Sequence, residues 1–310
     1  MEGTLFYAKI LLFGEYGIIK DSKGLSIPYN YFNGSLKTSN KDLDAKQKKS
    51  HEKVKEFMCF LKSIDSKFVC FDWDKINIDI EKNIYFDSSI PQGYGIGSSG
   101  ALVAAVYNQY AKDKITVLEN LTKVKLLSLK SIFSQMESFF HGKSSGLDPL
   151  NSYLSLPILI HSKNKIETTG IPSQSINGKG AVFLLDSGES SDTAPMVEIF
   201  FESMKNKDYS KMIKEDFIHT TDNCVEDFLN ADFKSLFSNI KKLSKVVLEN
   251  FKPMIPENFH NIWAKGIESN DYFLKLCGSG GGGYILGFSQ DFEKAKATLS
   301  DYKLEVVYNF

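Results

Sequence analysis

The chain is poor in cysteine, lacks a basic surplus and has no long apolar run, and each absence excludes a class of protein. Its cysteines, Cys59, Cys70, Cys224 and Cys277, show no CxxC spacing, so neither a disulfide framework nor a thiolate metal site is expected. A formal net charge of −1 removes the electrostatic footprint of a nucleic-acid or anionic-membrane partner. No stretch approaches the about eighteen consecutive apolar residues that a membrane-crossing helix needs. The opening segment, MEGTLFYAKILLFGEYG, carries Lys9 and Glu15 within its short apolar run. It lacks the basic start and small-residue cleavage site of a signal peptide. Solenoid repeats and low-complexity tails are also missing. A cytoplasmic enzyme with reduced thiols fits these bounds. At 310 residues, the chain has room for one large domain or two of medium size.

What is present is a mixture of strand and helix patterns. Leu5–Phe13, Leu25–Tyr31 and Ser35–Lys37 read as an opening of strands. The charge-dense run Ser39–Lys55 leads into an amphipathic helix whose apolar face is Val54, Phe57, Met58 and Leu61. Phe68–Phe71, the alternating INIDI of Ile76–Ile80, and Ile84–Phe86 are strand candidates. Helices are expected over 101–111 and 117–140, then a strand over 156–160. The polar stretch Ser162–Lys179 is taken as the domain boundary, giving domains 1–175 and 176–310. Beyond it come a strand at 181–186, helices near 194–205, 209–229 and 232–249, and strands at 273–277 and 284–288. A helix at 291–301 and a strand at 304–308 close the chain. The fold class is α+β, with helices on one side of an antiparallel sheet in each half.

Four segments carry candidate chemistry. The first is Pro91–Leu102, PQGYGIGSSGAL, in which glycines and serines lead straight into an apolar helix. Glycine lets successive N–H groups turn toward one anion, and the helix adds its own unpaired N–H groups and positive dipole end. Neither Walker nor dinucleotide-fold spacing is present. The second segment, KILLFGEY of Lys9–Tyr16, puts a lysine on an early strand and Glu15 at its turn. In the third, ESFFHGKSSGLD, Glu137 lies in the last turns of a helix that Gly142 can terminate, and Asp148 sits on the short loop beyond. The fourth is KLCGSGGGG, Lys275–Gly283, a glycine cluster between apolar runs. His51, His161, His219 and His260 are scattered without metal-ligand spacing, and His141 reads as shaping its loop.

In order and spacing these segments resemble the GHMP kinases, the small-molecule kinases that include galactokinase, homoserine kinase and the mevalonate-pathway kinases. The mevalonate kinases are the nearest fit, through KILLFGEY and ESFFHGKSSGLD. The resemblance implies a nucleotide-binding N-terminal α+β domain and a ferredoxin-like C-terminal domain. It also implies ATP and Mg²⁺, and transfer of a phosphoryl group to the primary hydroxyl of mevalonate. Gly93, Tyr94, Gly95, Ile96, Gly97, Ser98 and Ser99 would hold the ATP phosphates, and Ser99 and Glu137 would ligate Mg²⁺. Asp148 would take or orient the proton of the acceptor hydroxyl, and Lys9 beside it would balance the charge. Tyr16, Thr193, Gly278, Ser279 and Gly280 would line the acceptor site. Partners are then the small-molecule acceptor and ATP, without nucleic acid or membrane, and a homodimer is left open.

Departures from the family pattern bear on the acceptor. Tyr16 stands where the mevalonate kinases carry histidine, GEY being also a phosphomevalonate kinase form. Ser144 stands where proline is usual, and Cys277 and Ser279 replace threonine and alanine. The alternatives are therefore phosphomevalonate, another small hydroxyl substrate, or a non-catalytic ligand sensor on the same fold. A phosphorylated acceptor calls for extra cations around its site. No such cluster stands out, which favours an unphosphorylated carboxylate.

Overall fold

The computed structural model describes residues 3–116, 121–175 and 177–310. Strand β1 (Phe6–Phe13) opens the chain as expected, and one long β2 (Gly24–Lys37) runs unbroken where the sequence predicts two strands, 25–31 and 35–37. With β3 (Tyr85–Ser88), β4 (Ile158–Ser162) and β5 (Lys165–Thr168) they form one sheet, ordered β1-β2-β4-β5 with β3 also on β2. Strands β6 (Ala181–Asp186), β7 (Phe273–Leu276), β8 (Tyr284–Ser289) and β9 (Leu304–Asn309) form a second sheet, ordered β7-β8-β6-β9. Its recorded pairings are all antiparallel, with Phe183 opposite Gly287 and Leu274 opposite the same glycine.

The residues group into two compact units interleaved along the chain rather than divided by a single cut. One comprises residues 1–9, 28–91 and 97–156; the other comprises 10–27, 92–96 and 157–310. In the first, α1 (Ala45–Leu61) starts on a capping box between Asp44 and Gln47 and buries Val54, Phe57, Met58 and Leu61, the expected face. Helix α2 (Trp73–Glu81) replaces the strand expected at INIDI. Asp72 caps it by accepting from the Lys75 N–H at 3.1 Å. A helical turn leaves Ile76 buried and Ile78 exposed, which five residues with isoleucine at every second place do not reveal. Phe68–Phe71 contributes one bridge, Phe71 to Ala111, and no strand. Helix α3 (Ser98–Tyr110) is buried continuously from Gly100 to Tyr107, as a core helix must be.

Helix α4 (Lys123–His141) fills the C-terminal part of the helix expected over 117–140, whose first four residues lie outside the described ones. Gly142 ends it at φ 68°, its N–H bonded to the Ser138 carbonyl. Helix α5 (Leu147–Leu154) corrects the loop expected around Asp148. Pro149 stands in its first turn, where its missing N–H costs nothing. Tyr107, Phe133 and Tyr153 meet edge to face at 5.0 to 5.5 Å, joining α3, α4 and α5 in one core.

In the second unit, α6 (Thr193–Ser203) is followed by α7 (Lys207–Met212), a π-helical turn at Ile213–Phe217, and α8 (Ile218–Leu229). Helix α9 (Phe233–Asn250) packs on α8 and on β7; α10 (His260–Ser269), not foreseen, packs beside it. The Trp263 indole N–H donates to the Ser244 hydroxyl at 2.9 Å, which satisfies the largest buried side chain. Helix α11 (Phe292–Thr298) falls within the expected 291–301. Among the described residues no helix is long and apolar enough to cross a membrane.

Candidate active site

Charge is rarely buried without a partner. Among the described residues the buried lysines and carboxylates are Lys9, Glu15, Glu137 and Lys275. Every one of them falls in a segment singled out by its sequence. The chain contains no arginine, since its lysines account for all 37 basic residues, so each buried cation is an ammonium group.

In the first unit, Lys9 points from β1 to Asp148 in the first turn of α5, Nζ to Oδ1 3.1 Å. An acid in that position also faces the positive end of the helix dipole. Two glycines make the approach possible. Gly97 caps α3 in the left-handed region at φ 82°, and a Cβ there would lie 3.0 Å from the Lys9 side chain and 3.7 Å from the Asp148 carboxylate. Gly100, one turn on, lets α3 rest on α5: its Cβ would come within 2.7 Å of the Asp148 backbone. No side chain caps the start of α3. The first N–H groups of a helix have no intrahelical acceptor, and those of α3 are not satisfied by a side-chain cap.

Glu137, on α4, is buried, not a surface residue. Its carboxylate accepts from the Ser99 hydroxyl at 3.3 Å and from the Ser144 hydroxyl. Ser99 also lies 3.1 Å from His141 Nε2, and burial pushes that imidazole's pKa down. Ser144 in turn accepts from the Gly146 N–H at 3.0 Å, which ties the loop before α5 to Glu137. Ser144 is thus a site residue that the sequence flagged as a departure without giving it a part. Loss of solvation, then the nearby Asp148 charge, pushes the Glu137 carboxyl from its ordinary 4.5 up to about 8, against the opposing pull of Ser144, Lys9 and Ser99.

A raised carboxyl value has a definite sign. Between about 4.5 and 8 the unfolded chain binds fewer protons at this group than the folded one, so its contribution to stability falls as pH rises through that window. Urea unfolding of the ligand-free protein is expected to show this slope. Glu137→Gln should flatten it, and an unchanged slope in that variant would place the titration elsewhere.

In the second unit Gly93–Ile96 meet the late glycine cluster backbone to backbone. A Cβ on Gly95 would strike the Cys277 carbonyl, one on Gly278 would lie 3.0 Å from Gly95 Cα, and one on Gly283 2.5 Å from Tyr94 Cα. Gly93 accepts the Ser191 N–H at 3.0 Å, and the Tyr94 ring stands edge-on to Tyr284 at 5.0 Å. Ile96 is buried, and Gly280 sits under the Met254 carbonyl. Tyr16, Thr193 and Ser279 also gather here: the Tyr16 hydroxyl donates to the Ser279 carbonyl at 2.6 Å, and the Ser279 and Thr193 hydroxyls are 3.5 Å apart. Tyr16 packs on Phe200 and Phe251, and burial raises its pKa. Cys277 is buried, as an inert thiol would be. Sequence reasoning missed the ion pair of Glu15 with Lys275, 2.5 Å long and enclosed. Its only signal was that both residues lie inside quoted motifs.

Residues 57–155 match the family described as GHMP kinases N terminal domain. No curated protein sequence matches the chain. Solved structures match it over nearly its whole length. The L. major mevalonate kinase in complex with R-mevalonate is 16% identical, with a TM-score of 0.63, covering 97% of this chain and 90% of that one. The Streptococcus pneumoniae phosphomevalonate kinase in complex with phosphomevalonate and AMPPNP is 14% identical, with a TM-score of 0.63, covering 100% and 99%. The Lactococcus lactis galactokinase complexed with galactose is 11% identical, with a TM-score of 0.60, covering 98% and 92%. Residues 57–155 thus carry the likeness to the GHMP kinases N terminal domain, and the two-part α+β fold of the whole chain is the one these solved kinases have. In fold the chain is similar to mevalonate and phosphomevalonate kinases, and to galactokinase.

Proposed function

We propose that the protein transfers the γ-phosphoryl group of ATP to the primary hydroxyl of mevalonate. The observation that carries this reading is the Lys9–Asp148 pair at 3.1 Å beside the glycine that opens α3. Phosphoryl transfer asks for positioning and charge compensation more than for covalent chemistry, and the residues supply both. The N–H groups at the start of α3, with Gly93–Ser99, receive the triphosphate. Asp148 accepts or orients the acceptor's hydroxyl proton. Lys9 balances the negative charge of Asp148 and of the phosphoryl group in transit.

Ser99 and Glu137 fit a magnesium ion that arrives with nucleotide. Both are hard oxygen donors, 3.3 Å apart, and the buried carboxylate has hydroxyl donors but no lysine in direct contact among its recorded bonds. Among the described residues no group of three or more His, Cys, Asp or Glu could hold a metal by itself, so phosphate oxygens and water would complete the shell. When bound, the ion supplies neutralisation of the phosphate oxygens. Tyr16, Thr193 and the Gly278–Gly280 segment are assigned to the acceptor.

Phosphomevalonate is the second reading, favoured by Tyr16 in place of histidine and by the likeness to the S. pneumoniae enzyme. The chain's lack of arginine weighs the other way, since bidentate clamping of a phosphate is arginine chemistry. Coupled ADP release with ATP, Mg²⁺ and a panel of mevalonate, phosphomevalonate and galactose tests the choice. Turnover with mevalonate is expected. Turnover confined to phosphomevalonate would move the assignment to the second reading, and nucleotide binding without turnover on any acceptor would indicate a sensor.

A further inference from the structure

Of the buried charges, Glu15 and Lys275 have no part in the chemistry proposed above. They pair with each other across 260 residues of chain, Nζ to Oε1 2.5 Å, and the same ammonium donates to the Leu276 carbonyl at 2.8 Å. A buried ion pair is a poor way to gain stability, because desolvation consumes most of the attraction and apolar residues of like volume do as well or better. What it provides over an apolar contact is direction. Lys275 fixes two points at once, the carboxylate on the Gly14–Gly17 turn and the carbonyl at the end of β7.

Those two points flank the acceptor residues. Glu15 immediately precedes Tyr16, which is held in the left-handed region at φ 59°. The Leu276 carbonyl lies two residues before the glycine run of 278–283. That run has only Ser279 for a side chain, and its glycines all carry positive φ. It cannot hold its own shape by side-chain packing, so outside tethers decide where it lies. Gly281 donates to the Met254 carbonyl at 2.6 Å and Gly283 to the Glu189 carbonyl at 2.5 Å, toward its far end. At the near end the tethers include the Glu15–Lys275 pair and, one residue on from Glu15 and four on from Lys275, the Tyr16 hydroxyl on the Ser279 carbonyl. The ion pair and the tyrosine bond thus join the same two stretches of chain side by side.

We propose that Glu15 and Lys275 are positioning residues that seat the late glycine loop against Tyr16 and thereby set the acceptor site. The claim that this affects turnover rests on the kinase reading; the claim that the pair seats the loop does not. The test compares Glu15→Gln, Lys275→Met and the double variant Glu15→Gln/Lys275→Met in the full-length protein. Each single variant strands one buried charge and is expected to lose thermal stability. The double variant strands none and is expected to recover most of it, so it carries the test. In the double variant, amide hydrogen exchange at 277–283 should speed up about tenfold while exchange in α3 and α9 stays as in the parent. With the acceptor that wild type turns over, kcat/KM should fall about 10- to 100-fold with nucleotide Kd unchanged, as for a group displaced by a fraction of an ångström. Lys275→Arg, which keeps the charge, should restore part of the protection relative to Lys275→Met. A double variant with parental exchange and parental kcat/KM would overturn the proposal and leave the pair a purely structural contact. Wild type inactive on every acceptor would overturn the kinase reading instead, and the exchange result would still decide whether the pair seats the loop.

Discussion

Asp148→Asn is expected to lower turnover by about 10²- to 10⁴-fold, the range for loss of a positioned proton acceptor, while leaving nucleotide binding intact. The side chain is isosteric, and the close approach of Gly100 to the Asp148 backbone does not depend on charge. The first turn of α5 should therefore keep its place on α3. What changes is chemical: the amide cannot take a proton, and the Lys9 ammonium loses the anion it meets at 3.1 Å. Coupled ADP release gives the turnover, and calorimetric titration with a non-hydrolysable nucleotide gives the affinity. A variant that turns over at the parental rate would remove Asp148 from the reaction.

Lys9→Met should be nearly as severe, with kcat lower by about 10²- to 10³-fold, the cost of removing one preorganised donor from a developing charge. Methionine preserves the apolar stem that packs beside Gly97, so β1 should be undisturbed. Asp148 keeps access to water, its side chain being 38% exposed, and is not left as a stranded buried charge. The loss is thus expected in kcat, with the melting temperature nearly unchanged. Lys9→Arg should not rescue it, because the planar fork needs more room than the ammonium, in a place where even a Cβ on Gly97 would come within 3.0 Å of the Lys9 stem. A fall in KM affinity alone, with kcat intact, would recast Lys9 as a binding group.

Both predictions concern a contact between strand β1 and helix α5, and no local pattern announces such a contact. The sequence did mark the parts. The strands β1 and β6 to β9 are legible because each is an apolar run bounded by turn residues. The turn into α3 is legible because glycines and serines there lead straight into an apolar run. INIDI misleads because isoleucine at 76, 78 and 80 satisfies a two-residue period and, through 76 and 80, a helical one. Only the cap at Asp72 and the burial of Ile76 decide between them. The helix holding Asp148 is hidden by Gly146 and Pro149, which read as loop until the proline is seen in a first turn.

By itself, then, the sequence determined which kinds of group the protein has at its disposal: glycine-rich backbone, acids, lysines and hydroxyls within the quoted segments. Side-chain identity and local periodicity are properties of short windows, and they survive without a fold. The tertiary structure alone decided who meets whom. Lys9 faces Asp148 rather than Glu137's carboxylate directly, Ser144 serves Glu137, and Lys275 is spent on Glu15. The reason is physical: the energy of a charge depends on its partner and its distance from water, and both are set by residues up to 260 positions away.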